Sequence, residues 1–421
     1  MKTKKIVVVG MGYVGFPLAC AIASKSDFKV VGIDSDKEKV SKIKSKKSPV
    51  EDLPSKMLEG IDIKATNSFK DLSDSDFIII CVPTPVYENK TPNLSFIIGT
   101  AESIAKHLRK GQIIILESTV NPGVCDEIII PILEKNGLKV GVDFDLIHCP
   151  ERIDPGNKKW NIYNIPRNIG GTSKKGLQKA ISLYKTFLNA EIRELSSLKA
   201  TEATKIIENT FRDINIAYVN ELAKIFDLMN IDIIEIMNAA STKPFAFIPH
   251  YPGCGVGGHC IPVDPYYLIQ KSQDLGFNSE FMKRARLVND SMPRYTIERL
   301  ILGLNELGLP VKNTKIGILG LSYKANIGDL RESPSLEIIK ILKDLHADVL
   351  VCDPYVKNYK GLVNINYLLN NSNAVILATA HYEFLNILDW KKVKLIIDGR
   401  NCLNKEYIKN KKILYLGIGR K

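Results

Sequence analysis

Ile6-Val7-Val8-Val9-Gly10-Met11-Gly12-Tyr13-Val14-Gly15 is a short apolar run that passes directly into a glycine-punctuated turn. The run reads as a buried strand and the residues after Gly15 as a helix. In that setting Gly10 permits the tight turn, Gly12 lets a pyrophosphate approach the backbone, and Gly15 lets the helix pack on the strand. Tyr13 and Val14 complete the turn, and the phosphates would sit at the helix N-terminus, where N–H groups and the helix dipole favour negative charge. The next apolar run, residues 30–33, ends in Asp34. A carboxylate there accepts hydrogen bonds from the adenosine ribose and repels a 2′-phosphate, so the expected cofactor is NAD and not NADP. The bland alternative is that Asp34 only caps a turn. The strand, glycines, helix and acid in that order favour the cofactor.

Working outward, strand-like runs at 6–9, 30–33, 77–82, 113–116 and 146–148 alternate with helical stretches, including 13–24 and 97–108. Short apolar runs joined by helices imply a parallel sheet covered on both faces. Between Gly176 and Pro244 there is no glycine or proline, which reads as consecutive helices, one of them long. From about residue 314 the strand pattern returns at 315–319, 349–352, 374–377 and 395–397. The expected fold is α/β, with two doubly wound Rossmann-like domains bridged by a helical region with a long central helix. The expected divisions are 1–195, 196–300 and 301–421.

Bulk properties bound the function. At 421 residues the chain is long for one domain. Its 45% apolar and 25% charged residues are ordinary for a globular protein. The net charge of +12 comes from lysines spread along the chain, so solvated faces explain it best, an anionic small ligand next, and nucleic acid last. No segment resembles a signal peptide or a bilayer span. The eight cysteines form no C-x-x-C pair, which argues for a reducing, cytoplasmic setting and against a structural metal site.

Several polar segments fall at the carboxyl ends of the expected strands, where ligands bind in such sheets. They are Cys81-Val82-Pro83-Thr84, Glu117-Ser118-Thr119 and Cys149-Pro150-Glu151-Arg152. Singly each reads as turn chemistry; together they make a site. Pro252-Gly253-Cys254-Gly255-Val256-Gly257-Gly258-His259-Cys260-Ile261-Pro262-Val263-Asp264 is the other informative segment. Its glycines let backbone come close to a ligand and leave Cys260 accessible just after them. A thiol beside a nicotinamide suggests covalent catalysis: addition to an aldehyde, a second hydride transfer, then thioester hydrolysis. A lone cysteine is more often a small buried residue. The glycine loop and the dinucleotide fold favour the nucleophile, and His259 is given no role. Lys205 and Asn209, four apart, share a helix face with Glu202 and Arg212 nearby, which spacing alone cannot distinguish from a solvated face.

These motifs, with Gly320-Leu321-Ser322-Tyr323-Lys324 and Asp329-Leu330-Arg331, resemble the UDP-glucose/GDP-mannose dehydrogenase family over nearly the whole chain. The resemblance implies a four-electron oxidation using two NAD and one water. It implies Cys260 as nucleophile, Lys205 and Asn209 as donors to the developing oxyanion, and Asp264 and Thr119 as holders of a water. Glu151 would be the base for hydrolysis. Pro83, Thr84, Ser118, Thr119 and Arg331 would contact the cofactor. Glu151, Arg152, Lys205, Asn209, Lys243, Gly257 and Lys324 would contact a UDP-sugar. The long helix would form a homodimer. No metal, nucleic acid or membrane is implied.

One departure narrows the substrate. A lysine usually precedes the matching aspartate in the UDP-glucose and GDP-mannose branches, and Val263 stands here. Residues 151–157 and Thr242-Lys243-Pro244-Phe245 also look like the branch acting on UDP-N-acetylhexosamines, most like the UDP-N-acetylglucosamine 6-dehydrogenases. UDP-N-acetylmannosamine competes, with UDP-glucose behind it. Two other classes are a two-electron hydroxyacid or sugar-phosphate dehydrogenase, which leaves the cysteine loop and second sheet unexplained, and a non-catalytic NAD/UDP-sugar-binding regulator, ranked last.

Overall fold

The structure is a computed structural model that describes residues 4–50, 53–154, 157 and 159–421. Pro155 and Gly156, part of the segment used above to narrow the substrate, lie outside the described residues. The chain divides into two compact units. One contains the chain up to Glu208 together with Tyr266–Phe277, and the other contains Asn209–Pro265 and Asn278–Lys421.

The first unit is built on an eight-stranded sheet: β1 (Lys5–Val9), β2 (Lys29–Ile33), β3 (Ile63–Thr66), β4 (Phe77–Ile80), β5 (Ile113–Leu116), β6 (Asp145–His148), β7 (Arg167–Gly171) and β8 (Ile192–Glu194). Its order is β3-β2-β1-β4-β5-β6-β7-β8. All pairs are parallel except β6 with β7. The central strands are apolar throughout because both faces are covered. Ile6, Val8, Ile79 and Ile115 pack into one core, and Val7, Val9, Ile78, Ile80, Ile114 and Leu116 into the other. The strand order reverses between β1 and β4, so the carboxyl ends of those two strands open a ligand-binding crevice.

The second unit carries a parallel five-stranded sheet: β9 (Lys315–Leu319), β10 (Asp348–Cys352), β11 (Ala374–Leu377), β12 (Leu395–Asp398) and β13 (Leu414–Gly417). Its order is β10-β9-β11-β12-β13, with the reversal between β9 and β11. Both sheets therefore match the expected doubly wound class.

The stretch between Gly176 and Pro244 folds as the greater part of the helix Lys174–Tyr184 and the helices Leu198–Met229 and Ile233–Ala240. It also holds the short strand β8, which its sequence reading as consecutive helices missed. Absence of helix breakers permits a helix without requiring one, and pairing with β7 decides these three residues. The long helix starts where the Ser197 hydroxyl accepts the Ala200 N–H at 3.1 Å. It ends before Asn230, which takes a left-handed φ of 56°. Among the described residues no helix is long and apolar enough to cross a membrane, and no cluster of metal-ligating side chains occurs.

Candidate functional site

In the first unit the turn after β1 has the features a dinucleotide requires. Gly10 has φ of 93°, and its N–H donates to the Ile33 carbonyl at 2.8 Å. A Cβ at Gly10 would lie 2.6 Å from the Cys81 carbonyl oxygen, and one at Gly15 would lie 1.9 Å from the Gly10 oxygen. A Cβ at Gly12 would meet nothing within 4 Å. Two glycines are thus demanded by the protein's own packing, while the third faces open space, as a backbone approached by pyrophosphate should. Tyr13 lies in the same turn. The helix Gly15–Lys25 begins at Val14, which offers no side-chain acceptor to the first N–H groups and leaves them to an anion.

Asp34 is buried at the end of β2. Its Oδ2 accepts the Met11 N–H at 2.8 Å and its Oδ1 the Asp36 N–H at 2.9 Å. It therefore fastens the glycine turn, and each oxygen retains capacity for a ribose hydroxyl. At the ends of β4 and β5, the Ser118 hydroxyl donates to the Val82 carbonyl at 2.7 Å, so its proton ties the two strand ends together. The Thr84 carbonyl accepts the Tyr267 hydroxyl. Pro83 is exposed and Thr84 and Thr119 are half-buried.

Glu151 follows β6 and is 6% exposed. Its Oε1 accepts the Arg152 and Ile153 N–H groups, both at 2.6 Å, and its Oε2 accepts from Arg167 at 2.6 Å. Arg152, expected to bind substrate, is engaged within the protein, with Nη2 2.7 Å from Glu208 and Nη1 donating to the Pro166 carbonyl at 2.8 Å. Lys205 lies half-buried on the long helix, one turn before Asn209. Glu202, a turn earlier still, is fully buried and caps the segment after Thr119. Its oxygens accept the Gly123 N–H at 2.6 Å and the Cys125 N–H at 2.8 Å.

The second unit brings three of the expected catalytic residues together. The half-buried Cys260 precedes the helix Asp264–Asp274, and its carbonyl accepts the Asp264 N–H at 2.8 Å. The buried Asp264 carboxylate accepts from Asn209 Nδ2 at 2.5 Å. Asn209 Nδ2, read from sequence as an oxyanion donor, thus holds the carboxylate next to the cysteine turn. Glycine is enforced in the preceding loop. A Cβ at Gly257 would come 2.6 Å from Tyr323 Cβ, and Gly258, at φ of 93°, would place one 2.8 Å from the Tyr323 ring. The Gly258 N–H donates to the Arg331 carbonyl at 2.9 Å, so the loop is laid against the segment carrying Lys324 and Arg331. The Arg331 guanidinium pairs with Asp329 at 2.5 Å. Lys243 stands on an exposed turn with Nζ 4.9 Å from the Phe245 ring centroid.

Sequence reasoning missed two buried residues of the first unit, Arg167 on β7 and Tyr184. Arg167 is fully buried and bridges Glu117 at 3.2 Å and Glu151 at 2.6 Å, and the Tyr184 hydroxyl donates to Glu117. The available signal was an arginine in the run Ile165-Pro166-Arg167-Asn168-Ile169, where a charge among apolar neighbours requires a buried partner.

The chain matches three models of the UDP-glucose/GDP-mannose dehydrogenase family: the NAD binding domain over residues 4–188, the central domain over 199–291 and the UDP binding domain over 317–405. It is 38% identical to a UDP-N-acetyl-D-glucosamine 6-dehydrogenase of Pseudomonas aeruginosa over 395 residues, 92% of this chain and 93% of that one. It is 35% identical to a UDP-N-acetyl-D-mannosamine dehydrogenase of Methanococcus aeolicus, covering 95% of this chain and 92% of that one. Its fold is similar to the solved structure of the UDP-D-ManNAc dehydrogenase of Pyrococcus horikoshii, with a TM-score of 0.91, 33% identity and 99% coverage of both chains.

Proposed function

Because the chain belongs to the UDP-glucose/GDP-mannose dehydrogenase family and is an NAD-dependent UDP-sugar dehydrogenase, we propose that it oxidises the C6 hydroxymethyl of a UDP-N-acetylhexosamine, UDP-N-acetylglucosamine first, to the uronic acid. NAD, when bound, accepts one hydride in each of two oxidations. The first oxidation removes a hydride from C6 and a proton from its hydroxyl, leaving an aldehyde. The Cys260 sulfur then adds to that carbon: the C–S bond forms as the carbonyl π bond opens, and the thiol proton passes to the oxygen, giving a thiohemiacetal. Loss of a second hydride and the hydroxyl proton gives a thioester. Water, deprotonated by Glu151, attacks the thioester carbon, the C–S bond breaks, and the carboxylate leaves with the thiol restored.

The observation that carries this reading is the Cys260–Asp264–Asn209 arrangement behind an obligate glycine loop. The Cys260 turn is pinned through its own carbonyl, which suits a nucleophile that must be held in position. The Lys205 ammonium, on the same face of the long helix as Asn209, is the group assigned to the charge developing on the C6 oxygen. Val263, in place of a lysine, leaves a less charged neighbourhood for an acetamido group. The relatives named for acetamido sugars support the same substrate class, with UDP-N-acetylmannosamine the second candidate. Tyr13, Val14, Asp34, Pro83, Thr84, Ser118, Thr119 and Arg331 are assigned to the cofactor. Arg152, Lys243, Gly257 and Lys324 are assigned to the UDP-sugar. A homodimer through the long helix is part of the proposal, supported by its exposed apolar residues Ile207, Phe211, Tyr218, Ile225 and Met229.

The test measures NADH and uronate together with UDP-glucose, UDP-N-acetylglucosamine, UDP-N-acetylgalactosamine, UDP-N-acetylmannosamine and GDP-mannose. The expected outcome is two NADH per uronate on an acetamido sugar, with turnover by Cys260→Ala lower by roughly three orders of magnitude or more. One NADH with released aldehyde would reject the covalent route. Preference for a sugar without an acetamido group would reject the substrate class.

A further inference from the structure

Four residues of the first unit form a cluster of charge and acid with no part in the scheme so far, apart from its outermost member. Glu117 directly follows β5 and is 1% exposed, and Arg167 on β7 is 0% exposed. Arg167 Nη1 donates to Glu117 Oε2 at 3.2 Å, and Nη2 donates to Glu151 Oε2 at 2.6 Å. The Tyr184 hydroxyl, at the end of the helix Lys174–Tyr184, donates to Glu117 Oε1, and the guanidinium carbon lies 5.8 Å from the Tyr184 ring centroid. One buried cation is therefore divided between two buried carboxylates, and only one of them is the assigned base.

We propose that Glu117 and Arg167 are positioning residues for Glu151: Arg167 fixes the orientation of its carboxylate, and the charge on Glu117 determines how much of the guanidinium Glu151 retains and so how readily Glu151 takes a proton from water. The proposal rests on Glu151 being the base for thioester hydrolysis. Its physical content is a competition. While Glu117 is protonated, Arg167 serves Glu151 alone and damps its basicity. When Glu117 ionises, the guanidinium is shared, and a carboxylate that loses part of a counter-charge becomes a better proton acceptor.

The groups facing Glu117 agree with this. Burial pushes the Glu117 carboxyl up to about 7, against the pull of the Arg167 charge, with the Glu151 charge adding to the rise. Among the described residues, the other buried titratable groups beside Glu117 include the Tyr184 hydroxyl and the Cys81 and Cys149 thiols, all raised by burial, and His148 at the end of β6, lowered by burial, so that all are neutral near pH 7. The proton taken up in that range therefore belongs to the carboxylate pair that Arg167 bridges, with burial favouring its place on Glu117. The Arg152 and Ile153 N–H groups hold Glu151 at Oε1 only, so the grip of Arg167 on Oε2 completes the orientation of the carboxylate.

The experiment uses the full chain, NAD and whichever of UDP-N-acetylglucosamine or UDP-N-acetylmannosamine turns over. Rapid quench separates the NADH burst from uronate release between pH 6 and 8.5. In the parent enzyme, uronate release rises through about pH 7. Glu117→Gln retains the hydrogen-bonding shape, and its KM and NADH burst should match the parent while the rise in release is lost. Arg167→Lys should slow release about tenfold with the burst retained. Glu151→Gln should retain the burst and slow release at least a hundredfold. If Glu151→Gln releases uronate at the parental rate, the base assignment fails and the positioning role with it. If Glu151→Gln is slow but Glu117→Gln keeps the parental pH profile, the base assignment stands and the positioning role is overturned. Equal slowing of burst and release by Arg167→Lys would also overturn it, since a general structural defect affects every step.

Discussion

Gly10, Gly12 and Gly15 occupy one turn but are glycine for different reasons. Gly10 and Gly15 are surrounded by the protein's own backbone, and Gly12 is surrounded by space. Adding a methyl group separates the two kinds of requirement. Gly12→Ala should fold with stability within about 0.5 kcal/mol of the parent, as expected where nothing is crowded. It should nevertheless weaken NAD binding roughly tenfold or more, because the methyl occupies the path of the pyrophosphate. Gly15→Ala cannot fold unchanged, since its Cβ would lie 1.9 Å from a carbonyl oxygen. Thermal melting and NADH fluorescence titration check the pair, and parental NADH affinity in Gly12→Ala would remove the cofactor from this turn. At this scale the sequence was most legible where a residue type is forced by backbone, as at Gly10, Asp34 and the loop before Cys260. It was least legible where a residue serves a partner distant in the chain, as Arg167 serves Glu117 fifty positions earlier.

The first turns of the two sheets are built alike. Gly320 has φ of 93°, as Gly10 does, and its N–H donates to Cys352, as that of Gly10 donates to Ile33. Asp353 then follows β10 as Asp34 follows β2. Its Oδ2 accepts N–H groups from Leu321 at 2.7 Å and Ser322 at 3.0 Å, and its Oδ1 those of Tyr355 at 2.8 Å and Val356 at 3.1 Å. The buried His381 ring adds Nε2 to Oδ2 at 3.0 Å while its Nδ1 accepts the Asn326 N–H, which fixes Nε2 as the protonated nitrogen. The second turn lacks the three-glycine spacing, so its likeness to the first was visible only as a glycine after one strand and an acid after the next. The strands β3 and β7 escaped for a related reason. Lys64 is exposed within β3, and β7 carries Arg167 and two glycines, so neither gives a continuous apolar run. Edge pairing and tertiary burial decide such segments more than their composition does. Asp353→Asn tests the turn. Both oxygens face N–H donors, so either orientation of the amide sets its NH2 against donors, at a cost of about 2–4 kcal/mol read from urea midpoints. The carboxyl is lowered to about 2 despite burial, which alone would raise it, because His381 and the Ser322 and Leu321 N–H groups favour the ionised form. A folded value below the ordinary 3.8 means the stabilisation is complete above about 3.8 and is lost as pH falls towards 2, so the variant should lose stability at neutral pH and show a smaller further loss on acidification.

For the whole molecule, the proposed dimer sets two physical effects against each other. Ile207, Phe211, Tyr218, Ile225 and Met229 recur at steps of four and seven along the long helix, so they line one face, and each is at least 43% exposed. A row of large apolar side chains left in water favours covering by another surface, and the same helix of a second copy offers the same row. Each chain also carries a net charge of +12, so two copies repel. If apolar burial holds the pair against that repulsion, salt should tighten association: moving from about 0.01 M to 0.15 M shortens the screening length from roughly 30 Å to 8 Å and removes much of the penalty. Sedimentation velocity across this range should show the dimer fraction rising with salt. Phe211→Glu combined with Ile225→Glu should give a monomer under the same conditions, with the dissociation constant raised at least a hundredfold, because two charges per copy would be placed in a face that must be dry. A dimer that loosens with salt would mean that ion pairs hold it, and one that survives the double substitution would mean that another surface does.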